Sequence, residues 1–175
     1  MIGGVLTLFK TLVEIILLRK GPDELPHSTV LLLYVAGMWF AVGAVGAMMV
    51  DTYNGQTLLA DLILTSLGFG LYAVVVKVFE KSERLLRALT AILGCGAIFG
   101  AVLFAGRYVL TTVLGVEETP LFSEIILLWS ILVEGHIIAR TIDRQWVIGF
   151  LIALAVLIGQ LQVFAVLKPM LVTAT

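Results

Sequence analysis

Long apolar runs separated by short polar breaks dominate the chain. A helix of about 20 apolar residues crosses a hydrocarbon core about 30 Å thick, and several runs reach that length. The five predicted spans cover residues 28–50, 57–78, 85–106, 121–141 and 146–167. The pattern predicts an all-α integral membrane protein, with a bundle of five transmembrane helices in residues 28–175.

The N-terminal segment, residues 1–27, has a different pattern. Within the apolar residues 2–18, polar side chains recur at helical spacing and form one stripe: Thr7, Lys10, Thr11 and Glu14. This stripe predicts an N-terminal amphipathic helix at the membrane interface, followed by a Pro/Gly linker. The alternative places the helix across the bilayer with the stripe packed against other spans, at the cost of burying Lys10 and Glu14.

Composition agrees with a lipid environment. Hydrophobic residues make up 61% of the 175 residues and charged residues 13%, whereas a soluble domain has about a quarter charged residues. The net charge of −1 provides no large basic surface, so no nucleic-acid partner is expected. No phosphate-binding loop, nucleophile–base pair or metal-ligand spacing stands out, so we expect no cofactor, no metal and no enzymatic activity.

The basic residues predict an orientation. Nine of the 11 Lys and Arg residues lie before the first span or around the second and fourth breaks: Lys10, Arg19, Lys20, Lys77, Lys81, Arg84, Arg87, Arg140 and Arg144. Short loops that carry Lys and Arg remain cytoplasmic. The predicted location is therefore the bacterial inner membrane, with a cytoplasmic N-terminus and a periplasmic or extracytoplasmic C-terminus.

Glu134 is the main candidate for an intramembrane polar site, because ionisable residues inside a span are expensive and are therefore functional candidates. Ser130 lies one helical turn away on the same face, so the two residues form a polar strip that faces the bundle. One hypothesis is a proton or cation site. The other is that Glu134 bonds to a neighbouring helix and holds the bundle together.

Two further pairs are site candidates. His136 follows Glu134 by two residues, which rotates the side chain by about 200° and argues against a shared metal site. His136 instead shares a face with Arg140 at the cytoplasmic boundary, where both are candidates to contact lipid phosphate or the incoming loop. At the opposite boundary, Asp61 and Arg107 are predicted to lie at one depth and to form an ion pair.

Small residues mark candidate packing faces. Three pairs of small residues have the four-residue spacing that lets two membrane helices approach closely. They are Gly37 with Ala41, Gly43 with Ala47, and Gly96 with Gly100. This spacing does not say which helix approaches. The chain's own bundle, a homo-oligomer and a membrane-protein partner remain alternatives.

Three segments carry a resemblance. The linker RKGPDELP at residues 19–26, TAILGCG at residues 90–96 and WSILVEGHIIAR at residues 129–140 together resemble a family of small, uncharacterised proteobacterial inner-membrane proteins. The layout of a cytoplasmic N-terminal segment followed by five spans is similar to that of the Yip family of membrane-trafficking proteins. The resemblance implies a helical membrane protein and brings no catalytic residue with it.

The sequence favours a polytopic inner-membrane protein that acts through helix–helix and lipid contacts, as an accessory, assembly or membrane-organising component. The alternative is a small transporter or channel subunit that uses the intramembrane carboxylate of Glu134, with Gln160 or Gln162 along the path. The expected partners are membrane lipids, with a membrane-protein partner or a second copy of the chain as candidates.

Overall fold

A computed structural model of the chain describes the backbone of residues 2–48, 55–113, 115 and 120–172. These described residues form six α-helices: α1 (Ile2–Ile16), α2 (Thr29–Met48), α3 (Gly55–Val78), α4 (Leu85–Tyr108), α5 (Pro120–Thr141) and α6 (Trp146–Val172). Short 3₁₀ turns at Pro22–Glu24 and Ser82–Arg84 precede α2 and α4, and a π-helical turn at Val109–Val113 follows α4. The described residues form no β-strand, which confirms the predicted all-α class.

Helices α2 to α6 coincide with the five predicted apolar runs to within a few residues. Among the residues whose side chains the structure describes, four helical stretches are long and apolar enough to cross a membrane, and α3 contributes the apolar stretch Leu62–Val78. The four long stretches are Thr29–Met48, Ser82–Thr112, Leu121–Thr141 and Trp146–Leu167. A chain with this many apolar helices fits a multi-pass membrane protein.

Helix α4 lies at the centre of the bundle. It packs against α2 on one side and α5 on another, and it also contacts α1. Its segment from Thr90 to Cys95 is buried throughout. The core continues into α3 through Val76 and into α5 through Ile137, both fully buried. Large apolar side chains cover the outer surface as well, which is expected where lipid replaces water.

Helices α5 and α6 form a close antiparallel hairpin. A Cβ atom at Gly135 would lie 2.7 Å from the Cα atom of Phe150, and a Cβ atom at Gly149 would overlap the Gly135 carbonyl oxygen. Only glycine lets the two backbones approach this closely. The pair therefore fixes the register of α6 against α5.

Three helices end in the same way at one end of the bundle. Leu18, Glu80 and Asp143 follow α1, α3 and α5 with φ angles of 59°, 57° and 54°. At α3, the Glu80 amide donates to the Lys77 carbonyl (2.9 Å) and the Lys81 amide to the Val76 carbonyl (3.0 Å). This is the Schellman pattern, in which a left-handed residue turns the chain back over the last carbonyls.

Ion pairs join the α3–α4 and α5–α6 turns at this end. The Asp143 carboxylate accepts hydrogen bonds from Arg84 Nη1 (2.6 Å) and Lys81 Nζ (2.8 Å). These two cations lower the pKa of Asp143 from 3.8 to about 2. The Arg144 guanidinium lies 5.6 Å from the centre of the Phe79 ring, which adds a cation–π contact between the same two turns.

Candidate functional site

Glu134 is joined to a neighbouring helix by a hydrogen bond. The Tyr72 hydroxyl on α3 donates to Glu134 Oε2 on α5 at 2.7 Å. Tyr72 is buried, and the surrounding side chains Val76, Val133 and Ile137 are apolar and fully buried. In a low-dielectric environment, such a bond satisfies the Tyr72 hydroxyl and one oxygen of the Glu134 carboxyl group, and it links α3 to α5.

A cavity of about 240 Å³ lies beside Glu134, between α4 and α5. Ser130 and Glu134 line it, which brings the predicted polar strip to one wall, while Cys95, Gly96 and Gly100 contribute from α4. The Ser130 hydroxyl donates to the Leu127 carbonyl of its own helix at 2.8 Å. The cavity is therefore mainly apolar, with one carboxyl group (Glu134), two hydroxyl groups (Ser123 and Ser130) and one thiol group (Cys95) in its wall.

His136 and Arg140 both face the N-terminal linker. His136 Nε2 lies 2.9 Å from the Lys20 carbonyl oxygen, and Arg140 Nε lies 3.9 Å from Asp23 Oδ1. Lipid phosphate and the incoming loop were the two candidate contacts for these residues. In the structure, both side chains contact the incoming loop, which is the N-terminal linker. Glu134 and His136 meet different neighbours, in agreement with their separation of about 200° around α5. Within the described ranges, no three metal-ligating side chains converge.

Helix α1 packs on the bundle through one face. Leu12 and Ile15 are buried, Cys95 Sγ lies 3.8 Å from the Leu12 carbonyl oxygen, and Trp129 Nε1 donates to the Ile16 carbonyl at 3.1 Å. Glu14, from the predicted polar stripe, pairs with Lys20 at 2.8 Å. The opposite face exposes large apolar side chains, namely Leu6, Phe9 and Leu17.

The predicted small-residue faces have two different environments. A Cβ atom at Gly96 would lie 3.3 Å from Trp39 Cδ1, and one at Gly100 would lie 2.9 Å from Val42 Cγ1. These glycines therefore pack α4 against α2. Gly37 and Gly43 are exposed, and a Cβ atom there would meet nothing within 4 Å beyond its own helical turn.

The remaining polar candidates are the Asp61–Arg107 pair and the two glutamines of α6, Gln160 and Gln162. The side chain of Asp61 lies outside the described residues, so the Asp61–Arg107 ion pair stays a prediction; Arg107 is half-buried in the last turn of α4. In α6, Gln160 Nε2 donates to the Leu64 carbonyl of α3 at 2.9 Å, while Gln162 is exposed. Gln160 therefore joins two helices.

The sequence gives no direct sign that Tyr72 is the partner of Glu134. A lone tyrosine in an apolar run resembles any other core aromatic residue. The available signal was that Tyr72 and Glu134 lie at a similar depth in the bundle. Tyr72 is six residues from the end of α3, and Glu134 is seven from the end of α5. At 1.5 Å per residue, the two lie about 9 and about 10 Å from the basic end of the bundle.

Comparison with known proteins adds no relative to this picture. No protein-family model matches the chain, and neither a curated protein nor a solved structure does. The resemblance to small proteobacterial inner-membrane proteins and to the Yip layout stays a prediction, and the function has to be inferred from the chain's own geometry.

Proposed function

We propose that this chain is a polytopic inner-membrane protein that acts through helix and lipid contacts, as an accessory or assembly component. Its docking surface is the outward face of α2, which carries Gly37, Ala41, Ala44 and Met48. The supporting observation is that Gly37 and Ala41 are exposed although their spacing is that of a close helix–helix contact.

The geometry of α2 separates this face from the rest of the bundle. Successive residues rotate by about 100° around a helix, so the four residues of the outward face lie within one narrow stripe. Val35 and Gly46, which are buried, lie roughly opposite that stripe on the side that packs against α4. The outward face is therefore free to receive a helix from a partner protein or from a second copy of the chain.

The proposed arrangement has five spans, with α1 packed against α4 and α5. Helix α3 supplies the fifth span beside the four long apolar helices. The exposed Leu6, Phe9 and Leu17 suit the outer side of α1 to acyl chains, while Lys10 is also exposed and suits contact with headgroups. The basic residues at the turns after α3 and α5 favour a cytoplasmic location for that end.

The decisive variant is Gly37→Leu. Since no neighbouring group lies within 4 Å, leucine should fit without disturbing the fold, yet it would obstruct an approaching helix. Gly70→Leu on α3 is the matched control, because Gly70 is exposed with the same open space. Native mass spectrometry of gently extracted protein should show a stoichiometric complex for the wild type and Gly70→Leu, and its loss in Gly37→Leu.

The same experiment identifies the occupant of the outward face. A mass equal to two chains would assign it to a second copy, and a different copurified mass would assign it to a partner protein. A wild-type monomer would contradict the proposal. Equal complex formation in all three proteins would also contradict it, since the outward face of α2 would then play no part.

A second function, transport, is supported by the cavity beside Glu134. A carboxyl group in the wall of an intramembrane cavity is a candidate cation or proton site. If Glu134 carries flux, Glu134→Gln should abolish proton or cation movement into proteoliposomes while the protein still folds, because glutamine still accepts the Tyr72 hydrogen bond.

The control for transport is Ser130→Ala, which removes one of the two serine hydroxyl groups from the cavity wall but keeps the carboxyl group. Flux in this variant should remain at least partly intact. Unchanged flux in Glu134→Gln, or no flux in the wild type, would leave Glu134 as a contact between helices.

A further inference from the structure

Four arginines converge on a cavity at the end of the bundle where α3 and α5 terminate. The cavity has a volume of about 460 Å³, which lies in the range of about 300 to 1,000 Å³ typical of small-molecule sites. Its lining comes from the N-terminal linker, the 3₁₀ turn and first turn at the start of α4, the last turn of α5 and the α5–α6 turn. The lining residues with charged side chains are Asp23, Arg84, Arg87, Arg140, Asp143 and Arg144.

The two carboxylates leave part of this positive charge uncompensated. Asp143 is bound by Arg84 and also by Lys81, a cation outside the cavity lining. Asp23 approaches Arg140 only to 3.9 Å. The lining itself has two more positive than negative charges, so it attracts an anion.

Arg87 is the least satisfied of these groups. Its Nε atom is buried and has no hydrogen-bond partner among the residues that the structure describes. A buried donor without a partner is unfavourable, and a ligand that drew the Arg87 side chain into the cavity would remove that penalty. Arg87 also lies in the first turn of α4, which contains no acidic residue to offset its charge.

We propose that this cavity binds the phosphate group of an anionic ligand. Guanidinium groups donate paired hydrogen bonds that match phosphate oxygens, and several arginines from different segments can surround one phosphate group. The same chemistry suits the headgroup of an anionic lipid and a free phosphate compound. The inference goes beyond the docking role of α2 and does not depend on it, because the cavity and the outward face share no residue.

The test uses the whole chain in a nonionic detergent with two probes. In the first experiment, inorganic phosphate is titrated into the protein and binding is measured by calorimetry. In the second, the protein is exposed to mixed vesicles of phosphatidylglycerol and phosphatidylcholine, and native mass spectrometry then counts the lipid molecules that it retains. Arg87→Gln should weaken binding of the active probe by about tenfold or more, as expected for loss of a hydrogen bond to a charged group. Arg19→Gln removes the same charge from an exposed residue outside the cavity lining and should retain binding.

The two probes distinguish the sources of phosphate. Retention of phosphatidylglycerol that inorganic phosphate does not displace assigns the cavity to a lipid headgroup, and binding of phosphate alone assigns it to a soluble compound. If neither probe binds, or if Arg87→Gln and Arg19→Gln lose equal affinity, the inference is overturned.

A second variant guards against misfolding of Arg87→Gln. Arg144 is exposed, and Arg144→Gln should fold while it also weakens binding. Full binding by a folded Arg144→Gln would overturn the assignment, because Arg144 lines the cavity. Full binding by Arg87→Lys, which keeps the charge but loses the paired donors, would likewise overturn recognition by the guanidinium group.

Discussion

Helices α2 and α4 carry the same small-residue signature in opposite surroundings. In the most apolar 18-residue stretch of α4, 44% of the residues are buried. Gly96 and Gly100 of this helix pack against the side chains of Trp39 and Val42. In the most apolar 18-residue stretch of α2, 11% of the residues are buried, and Gly37 faces open space. The glycine pair of α4 therefore closes the bundle, whereas Gly37 of α2 lies on its surface.

The contrast shows that glycine spacing predicts a close approach without naming the approaching group. In the bundle, the contact is already made, so a larger side chain costs folding free energy. On the outward face of α2, the same change alters a surface that has no contact within the chain. Variants at the two places should therefore separate folding from association.

Gly96→Leu should produce the largest loss of stability. The Trp39 indole already lies 3.3 Å from where a Cβ atom would stand, so leucine must displace it or separate α2 from α4. Overpacking of this kind costs about 1–3 kcal/mol. Denaturant unfolding in detergent should show this loss for Gly96→Leu and almost none for Gly37→Leu.

Equal stability of the two glycine variants would remove the distinction between the buried and outward faces. A loss in Gly37→Leu comparable to that in Gly96→Leu would indicate that α2 packs within the chain on both sides. Such a loss in Gly37→Leu would also make the association test at Gly37 uninformative about a partner.

Tyr72→Phe should have a smaller effect in the same interior. It removes the hydroxyl that donates to Glu134 while keeping the aromatic ring in the core. Interhelical hydrogen bonds in membranes contribute about 1 kcal/mol, so the free energy of unfolding should fall by about that amount. Tyr34→Phe, at an exposed tyrosine on α2, is the matched control.

A loss of stability in Tyr34→Phe equal to that in Tyr72→Phe would contradict the assignment of a specific interhelical bond. No loss in Tyr72→Phe would mean that the bond is replaced at no cost, for example by water in the neighbouring cavity.

Asp143→Asn should have the smallest effect, and the effect should depend on pH. Asparagine tolerates the left-handed backbone at φ 54°, so the change removes charge without adding strain. Because Arg84 and Lys81 lower the pKa of Asp143 to about 2, the ion pairs stabilise the fold above pH 4 and are lost as pH falls toward 2.

Thermal unfolding at a series of pH values checks this prediction. The wild type should be the more stable protein at pH 7, and the two melting temperatures should converge as pH falls from about 4 to about 2. A difference that stays constant over this range would show that the carboxylate charge is not what joins the two turns.

The positions of the helices were predictable, because apolar length and polar breaks act locally. The five predicted runs match α2 to α6, and Pro22 and Asp143 lie in turns next to the predicted boundaries. The orientation of Glu134 relative to His136 was also accessible, since helical rotation determines it. The partner of Glu134 was not, because Tyr72 is 62 residues away and on another helix.

The sequence by itself determined that this chain is helical and apolar, where its helices begin and end, and which side chains share a helical face. These properties follow from backbone hydrogen bonding and from the free energy of placing each residue in lipid or water. Only the tertiary structure decided that Gly96 is filled by Trp39 while Gly37 is left open, and that four arginines surround one cavity. Contacts between distant segments depend on how whole helices pack, which local periodicity does not specify.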